Sequence, residues 1–175
     1  YKILHFLHYL AGSYCLYLIL KKKGIGILGF FAANSAYFFS TFFLNRQLHF
    51  GIVMGLYVLP CLLYQVDLFL EKRRIKFIVF AALVMSLIFY WGHLQATLMG
   101  FMVFAVYFLC FAFKNLNIKA SLLYSILFGV LVILLTLPQL YPTVVLATRS
   151  KRVEAVSSHQ GSLFPDMAFL TIYPF

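Results

Sequence analysis

The stretch FIVFAALVMSLIFYWGHLQATLMGFMVFAVYFLCFAF, residues 77–113, decides the fold, because it is almost continuously apolar apart from a break at Trp91-Gly92-His93. As one helix it would rise about 55 Å at about 1.5 Å per residue, whereas the hydrocarbon core of a bilayer is about 30 Å thick. We therefore expect two short or tilted membrane-spanning helices joined by a tight turn. Strands of a membrane barrel would be about ten residues long and alternate in polarity, which this stretch does not.

The same pattern continues on both sides of this stretch and predicts about six spans in all. Four further apolar runs of about twenty residues are separated by short polar loops. They lie at 3–20, 25–44, 50–70 and 120–140. The predicted fold class is all-α: a polytopic transmembrane helical bundle with a short irregular extracytoplasmic tail. We expect a transmembrane helical domain at 1–141, incomplete at its N-terminal side, and the start of an extracytoplasmic segment at 142–175.

The composition points to lipid as the solvent for much of this chain. Hydrophobic residues make up 64% of the chain and charged residues 10%, whereas soluble domains are about half apolar and a quarter charged. The formal net charge is +10, but the basic residues fall in short clusters between apolar runs. That distribution is typical of membrane loops and argues against nucleic acid as a partner.

The basic loops predict the orientation of the spans. The loops at 21–23, 71–76 and 114–119 hold nine of the 14 lysines and arginines, and an even number of predicted spans separates each from the next. By the positive-inside rule, these three loops face the cytoplasm. We therefore expect a multi-pass protein of the cytoplasmic membrane whose functional face is extracytoplasmic, with all five histidines near that face.

Prolines and one asparagine predict local features inside the spans. Pro60 should kink the third span, because proline removes a backbone hydrogen bond. Pro138 and Pro142 should end the sixth span by the same mechanism. Asn34, near the middle of the second span, should face other helices, because an amide in lipid needs a hydrogen-bonding partner. The three cysteines are isolated along the sequence, which favours small packing residues over a disulfide or a metal site.

The candidate functional residues lie on the predicted outer side, and each has a plainer interpretation. The histidines are either site residues or interfacial aromatic side chains with a hydrated tip; His5, His8 and Gly12 share one helix stripe. Arg149, with Ser150-Lys151-Arg152, could hold a phosphate or pyrophosphate group, or could be a solvated charge run. No carboxylate or cysteine lies at ligand spacing from a histidine, so we predict no metal site in the chain.

Seven short motifs, taken in order, resemble a known family. They are His8-Tyr9-Leu10-Ala11-Gly12, Ala36-Tyr37-Phe38-Phe39-Ser40, His49, Leu59-Pro60-Cys61-Leu62, Gly92-His93-Leu94-Gln95, Gln139-Leu140-Tyr141-Pro142 and Ser150-Lys151-Arg152. Together they resemble the bacterial YfhO membrane-protein family, which is similar to the GT-C glycosyltransferases. The chain departs from the family pattern at Leu94, where proline is usual, and at Thr41, where glycine is frequent.

The resemblance implies a glycosyltransferase that moves a sugar from a polyprenyl-phosphate carrier to an extracytoplasmic cell-envelope glycan acceptor. It implies substrate-binding roles for His8, His49, His93, Gln95, Arg149 and Arg152. The catalytic carboxylate of such enzymes precedes the first span seen here, so we expect it upstream of residue 1. No cofactor motif is visible, and a divalent metal in the full-length protein stays open. A transporter or flippase of lipid-linked glycans and a non-catalytic membrane scaffold are the alternative functions.

Overall fold

A computed structural model of the chain describes residues 2–40, 50–91, 94–115 and 117–149. Of these residues 91% are helical and none lies in a strand, which confirms the all-α class. In chain order the described helices are α1 Lys2–Lys22, α2 Ile27–Phe38, α3 Phe50–Tyr57, α4 Leu59–Lys72, α5 Lys76–Tyr90, α6 Leu94–Asn115 and α7 Ile118–Arg149.

Three stretches of the described helices are long and apolar enough to cross a membrane. They are Lys2–Lys22, Gly51–Lys72 and Ile118–Leu146. Three further stretches are apolar but shorter, at Ile27–Phe38, Lys76–Tyr90 and Ala96–Ala112. The predicted run at 77–113 is divided where the sequence predicts, since α5 ends at Tyr90 and α6 begins at Leu94. The second predicted span is helical over 12 residues only, and 41–49 lie outside the described residues.

The chain divides into two units, 1–136 and 137–175, and the division falls within α7. In the first unit, α4 is the central helix and packs against α1, α5 and α6. Within the span Gly51–Lys72, 72% of the most apolar window is buried, against 17% for Lys2–Lys22. Large apolar side chains such as Ile3, Leu123 and Ile126 are exposed on α1 and α7. Exposed apolar surface of this extent is what a lipid-facing helix requires.

Pro60 interrupts the third predicted span, as the sequence predicts. The chain leaves the helix at Val58, between α3 and α4, and Pro60 lies in the first turn of α4. Because Pro60 has no N–H, it cannot donate to the carbonyl of Leu56 four residues earlier. The Tyr37 hydroxyl donates to that carbonyl instead, at 2.8 Å.

The prediction that Pro138 and Pro142 end the last span is wrong. Helix α7 contains both prolines and continues to Arg149, so the segment at 142–149 is helical and not irregular. Apolar helices tolerate proline when side-chain hydroxyls satisfy nearby carbonyls. Pro138 and Pro142 cannot donate to the carbonyls of Leu134 and Pro138, four residues earlier. At the neighbouring carbonyls, the Tyr90 hydroxyl donates to Leu135 at 2.8 Å and the Thr143 hydroxyl donates to Gln139 at 2.7 Å.

Candidate functional site

The basic loops of the first unit meet at one end of its helices. Lys22, at the end of α1, lies 2.9 Å from the Asp67 carboxylate and also contacts the Glu71 carboxylate, both near the end of α4. The Lys23 ammonium lies over the ring of Phe111, close to the end of α6. The ends of α1, α4 and α6 therefore lie together. We call this the basic end.

The opposite end of α1 carries an aromatic pocket. It has a volume of about 230 Å³ and lies between the first turns of α1, the end of α2 and the end of α3. We call it the α1 pocket; its lining residues are Lys2, His5, Phe6, Tyr9, Phe38, Phe39 and Tyr57. Pockets for drug-sized ligands typically measure about 300–1,000 Å³, so this one suits a single ring or a phosphate group.

The aromatic rings form one continuous wall of the pocket. The Tyr9 ring lies 5.0 Å from the Phe38 ring and 6.0 Å from the Tyr57 ring, both in edge-to-face arrangements. The Tyr9 hydroxyl accepts a hydrogen bond from the Asn34 amide at 3.1 Å, and Asn34 is buried. The prediction that Asn34 joins helices is thereby confirmed. Because neighbouring rings touch, a ligand would lie against this wall and not between its rings.

Polar groups border the aromatic wall. His5 Nε2 and the Tyr57 hydroxyl lie 3.1 Å apart, and their rings meet edge to face. Lys2 is exposed on the turn before His5. The pocket thus combines apolar ring surface with an ammonium, an imidazole and a phenol, a set that can bind a sugar ring and a phosphate.

A close approach of α1 to the α3–α4 break positions Tyr57. A Cβ atom at Gly12 would overlap with the carbonyl oxygen of Tyr57, so only glycine fits at this crossing. At the residue before Gly12, the carbonyl of Ala11 accepts a hydrogen bond from the Cys61 thiol at 3.3 Å. The interruption at Val58 and the missing side chain of Gly12 together let α1 and α3 meet.

The structure places His8 beside the α1 pocket and not in it. Its side chain is buried, and its ring lies 5.0 Å from the Trp91 ring, edge to face. Nδ1 lies 2.8 Å from the carbonyl of Leu4 and must donate to it, which leaves Nε2 as an acceptor. Within the described part of the chain, neither His8 Nε2 nor Trp91 Nε1 has a hydrogen-bonding partner, and both atoms are buried. A hydroxyl or a water molecule could satisfy both, since it can donate to one and accept from the other.

The other predicted site residues cannot be placed by side chain. His49, His93 and Arg152 lie outside the described residues. Gln95 and Arg149 lie on α6 and α7, but their side chains are outside the described part of the chain. The structure therefore locates one predicted site residue, His8, and adds pocket residues that the sequence prediction missed.

A spacing signal in the sequence could have found the missed residues. Lys2, His5, Phe6 and Tyr9 follow the i, i+3, i+4, i+7 pattern that places side chains on one helix face. All four line the α1 pocket. The sequence prediction grouped His5 with His8 and Gly12, and so selected a neighbouring stripe of the same helix.

The cysteines and carboxylates form no metal site within the described ranges. No group of three or more histidine, cysteine, aspartate or glutamate side chains there could hold a metal ion. Cys15 is partly buried on α1, and Cys61 is buried on α4. Cys110 is exposed on α6.

Comparison of the chain with protein families, with curated proteins and with solved structures finds no match. Any function proposed for this chain therefore depends on its own residues and their arrangement.

Proposed function

We propose that this chain is part of a multi-pass membrane glycosyltransferase. The enzyme would transfer a sugar from a polyprenyl-phosphate carrier to a cell-envelope glycan acceptor. In this proposal the chain contributes six spans to the cytoplasmic membrane, the basic end faces the cytoplasm, and the α1 pocket faces the other side. The motif resemblance to the YfhO family and its GT-C relatives supports the proposal.

The α1 pocket is the observation that carries the proposal. Its aromatic wall offers a surface for a sugar ring, and Lys2 offers an ammonium for a phosphate. Its volume admits one sugar ring or one phosphate at a time, not a nucleotide sugar. The pocket lies at the end of apolar helices whose exposed faces could accommodate the prenyl chain in lipid.

The chemistry needs a base for the acceptor hydroxyl and cations for the leaving lipid phosphate. Arg149 and Arg152 are the proposed phosphate ligands, and His49, His93 and Gln95 are the proposed contacts to the sugar or carrier. His8 would act with Trp91, which lies against its ring.

A transfer assay with the full-length protein tests this proposal. The protein is reconstituted in vesicles and supplied with a labelled polyprenyl-phosphate sugar and acceptor glycan. We expect Arg152→Ala and His93→Ala each to abolish transfer. Lys2→Gln and Tyr57→Phe should each lower kcat/KM about tenfold, the effect of losing one hydrogen bond or ionic contact in a site.

Matched variants separate the pocket from general damage to the fold. Lys119→Gln removes an exposed lysine elsewhere, and Tyr14→Phe removes an exposed hydroxyl from α1 outside the pocket. Both should transfer at the wild-type rate. Movement of labelled carrier across the bilayer without transfer would instead identify a flippase. Wild-type transfer by Arg152→Ala, His93→Ala, Lys2→Gln and Tyr57→Phe alike would remove the proposed site.

A further inference from the structure

Seven basic side chains surround the basic end, and we call them the basic belt. Two loops supply them: the end of α1 and the segment that joins α4 to α5. They are Lys21, Lys22, Lys23, Lys72, Arg73, Arg74 and Lys76. All seven residues are exposed. The two loops are both basic, and the contact of Lys22 with Glu71 shows that they also lie next to each other.

Local carboxylates neutralise only a small part of this charge. Among the residues that the structure describes, Asp67 and Glu71 are the acidic residues near the belt, and both lie against Lys22. The Tyr107 hydroxyl also donates to Asp67, at 3.4 Å. Seven basic side chains against two carboxylates leave an excess of five positive charges at this end.

Aromatic rings hold the lysines of the belt at the ends of the apolar helices. Lys21 lies over the ring of Tyr17, and Lys23 lies over that of Phe111. Lys72 and Lys76 both lie over the ring of Phe77. Such contacts keep the ammonium groups where an apolar helix meets water, at the depth of lipid head groups.

Two backbone turns fix the direction in which these residues leave the helices. Gly24 adopts a left-handed conformation with φ 73°, and the N–H of Ile25 donates back to the carbonyl of Leu20, which closes α1. Arg73 is also left-handed, with φ 54°, and its N–H donates to the carbonyl of Phe69, which closes α4. Both loops therefore begin at a defined helix end.

We propose that the basic belt binds the head groups of anionic phospholipids. Clusters of four to eight basic residues next to membrane spans attract anionic lipid, and each residue contributes roughly a fivefold gain in affinity. The belt has the required charge, exposure and position at the ends of apolar helices. This proposal is independent of the proposed glycosyltransferase activity and stands if that activity is absent.

Native mass spectrometry of the chain in detergent micelles tests the proposal. The probes are phosphatidylglycerol, which is anionic, and phosphatidylcholine, which has no net charge. We expect the wild-type chain to retain phosphatidylglycerol in preference to phosphatidylcholine. K21Q/K23Q should weaken phosphatidylglycerol binding on the order of 25-fold, because it removes two belt charges and keeps Lys22. K21R/K23R keeps the charges and should bind as the wild type does.

Further controls separate the belt from general electrostatics and from misfolding. Lys119→Gln removes one exposed lysine that belongs neither to the belt nor to the α1 pocket, and it should leave phosphatidylglycerol binding nearly unchanged. Lys23→Gln should weaken that binding about fivefold. In the wild-type chain, rising salt should reduce the preference for phosphatidylglycerol, a test that needs no variant.

Three outcomes would overturn the proposal. One is equal retention of the two lipids by the wild-type chain. Another is equal loss of binding in Lys119→Gln and Lys23→Gln, which would assign the effect to net charge. The third is displacement of phosphatidylglycerol by a soluble oligonucleotide at stoichiometric amounts, which would make nucleic acid the ligand of the belt.

Discussion

At the basic end of the first unit, the Lys22 ammonium lies 2.9 Å from a carboxylate, whereas at the other end the His5 imidazole lies 3.1 Å from a tyrosine hydroxyl. The side chains of the first pair, Lys22 and Asp67, are about one-third exposed. At the other end, His8 Nε2 and Trp91 Nε1 are buried and have no hydrogen-bonding partner among the described residues. The ionic pair thus lies where water can reach it, whereas these polar groups are enclosed by rings.

This difference indicates what holds each end together. Exposed ion pairs contribute little to stability, because water competes for both charges. Buried contacts between helices contribute more, because each depends on a close fit of atoms. We therefore expect substitutions at the pocket end to cost more stability than substitutions at the basic end. Three predictions test that ranking, beginning with the largest expected effect.

Gly12→Ala should cause the largest loss of stability, about 3 kcal/mol. The added methyl group would overlap with the carbonyl oxygen of Tyr57, and a backbone atom cannot rotate away as a side chain can. The helices α1 and α3 would have to separate, which would also open the α1 pocket. Unfolding of the chain in detergent micelles, followed by helical circular dichroism, measures the loss.

Gly129→Ala is the matched control for this substitution. No atom lies within 4 Å of a Cβ at Gly129, on α7, and alanine favours a helix over glycine by about 1 kcal/mol. Its stability should equal or slightly exceed that of the wild type. Equal losses in the two alanine variants would mean that the crossing at Gly12 does not depend on the absence of a side chain.

Tyr37→Phe should cause a smaller loss, about 1 kcal/mol. The hydroxyl of Tyr37 donates a hydrogen bond to the carbonyl of Leu56, to which Pro60 cannot donate. Removing the hydroxyl leaves that carbonyl without this donor. Pro60→Ala supplies an N–H that can donate to the same carbonyl, so the loss should shrink in the double variant. A double-mutant cycle from unfolding in micelles measures this coupling, and strictly additive losses would contradict the assigned role of Tyr37.

Much of the fold could be predicted from the sequence, because an apolar run that is long enough to cross a bilayer is expected to form a helix. The break between α5 and α6 and the interruption near Pro60 follow from run length and from proline chemistry. The continuation of α7 through Pro138 and Pro142 could not be predicted, because it depends on partners such as Tyr90, which is 45 residues away from Leu135 along the chain. Sequence alone gives the position of a proline but not the donors around it.

The candidate site was harder to predict than the fold. The histidines were candidates because of their residue type, whereas the composition of the α1 pocket depends on which side of α1 faces Tyr57. Gly12 and the turn at Val58 determine which face of α1 lies against Tyr57, and neither residue has a polar or reactive side chain that would mark it in the sequence. His5 and His8 were predicted to share one helix stripe, and only His8 belongs to a motif of the family resemblance, so a substrate-binding role was predicted for His8 and not for His5.

Lys22→Met should have the smallest effect of the three, a fall of at most a few degrees in Tm. The Lys22 side chain is 33% exposed, and the carboxylates of Asp67 and Glu71 are 30% and 56% exposed, so water and salt already screen the pairs. The fall should shrink further at high salt. Lys21→Met, which removes a neighbouring lysine that contacts the Tyr17 ring, is the control and should change Tm less. If Lys22→Met lowered stability as much as Gly12→Ala, the basic end and not the pocket end would hold α1 against α4, and the ranking of the two ends would be reversed.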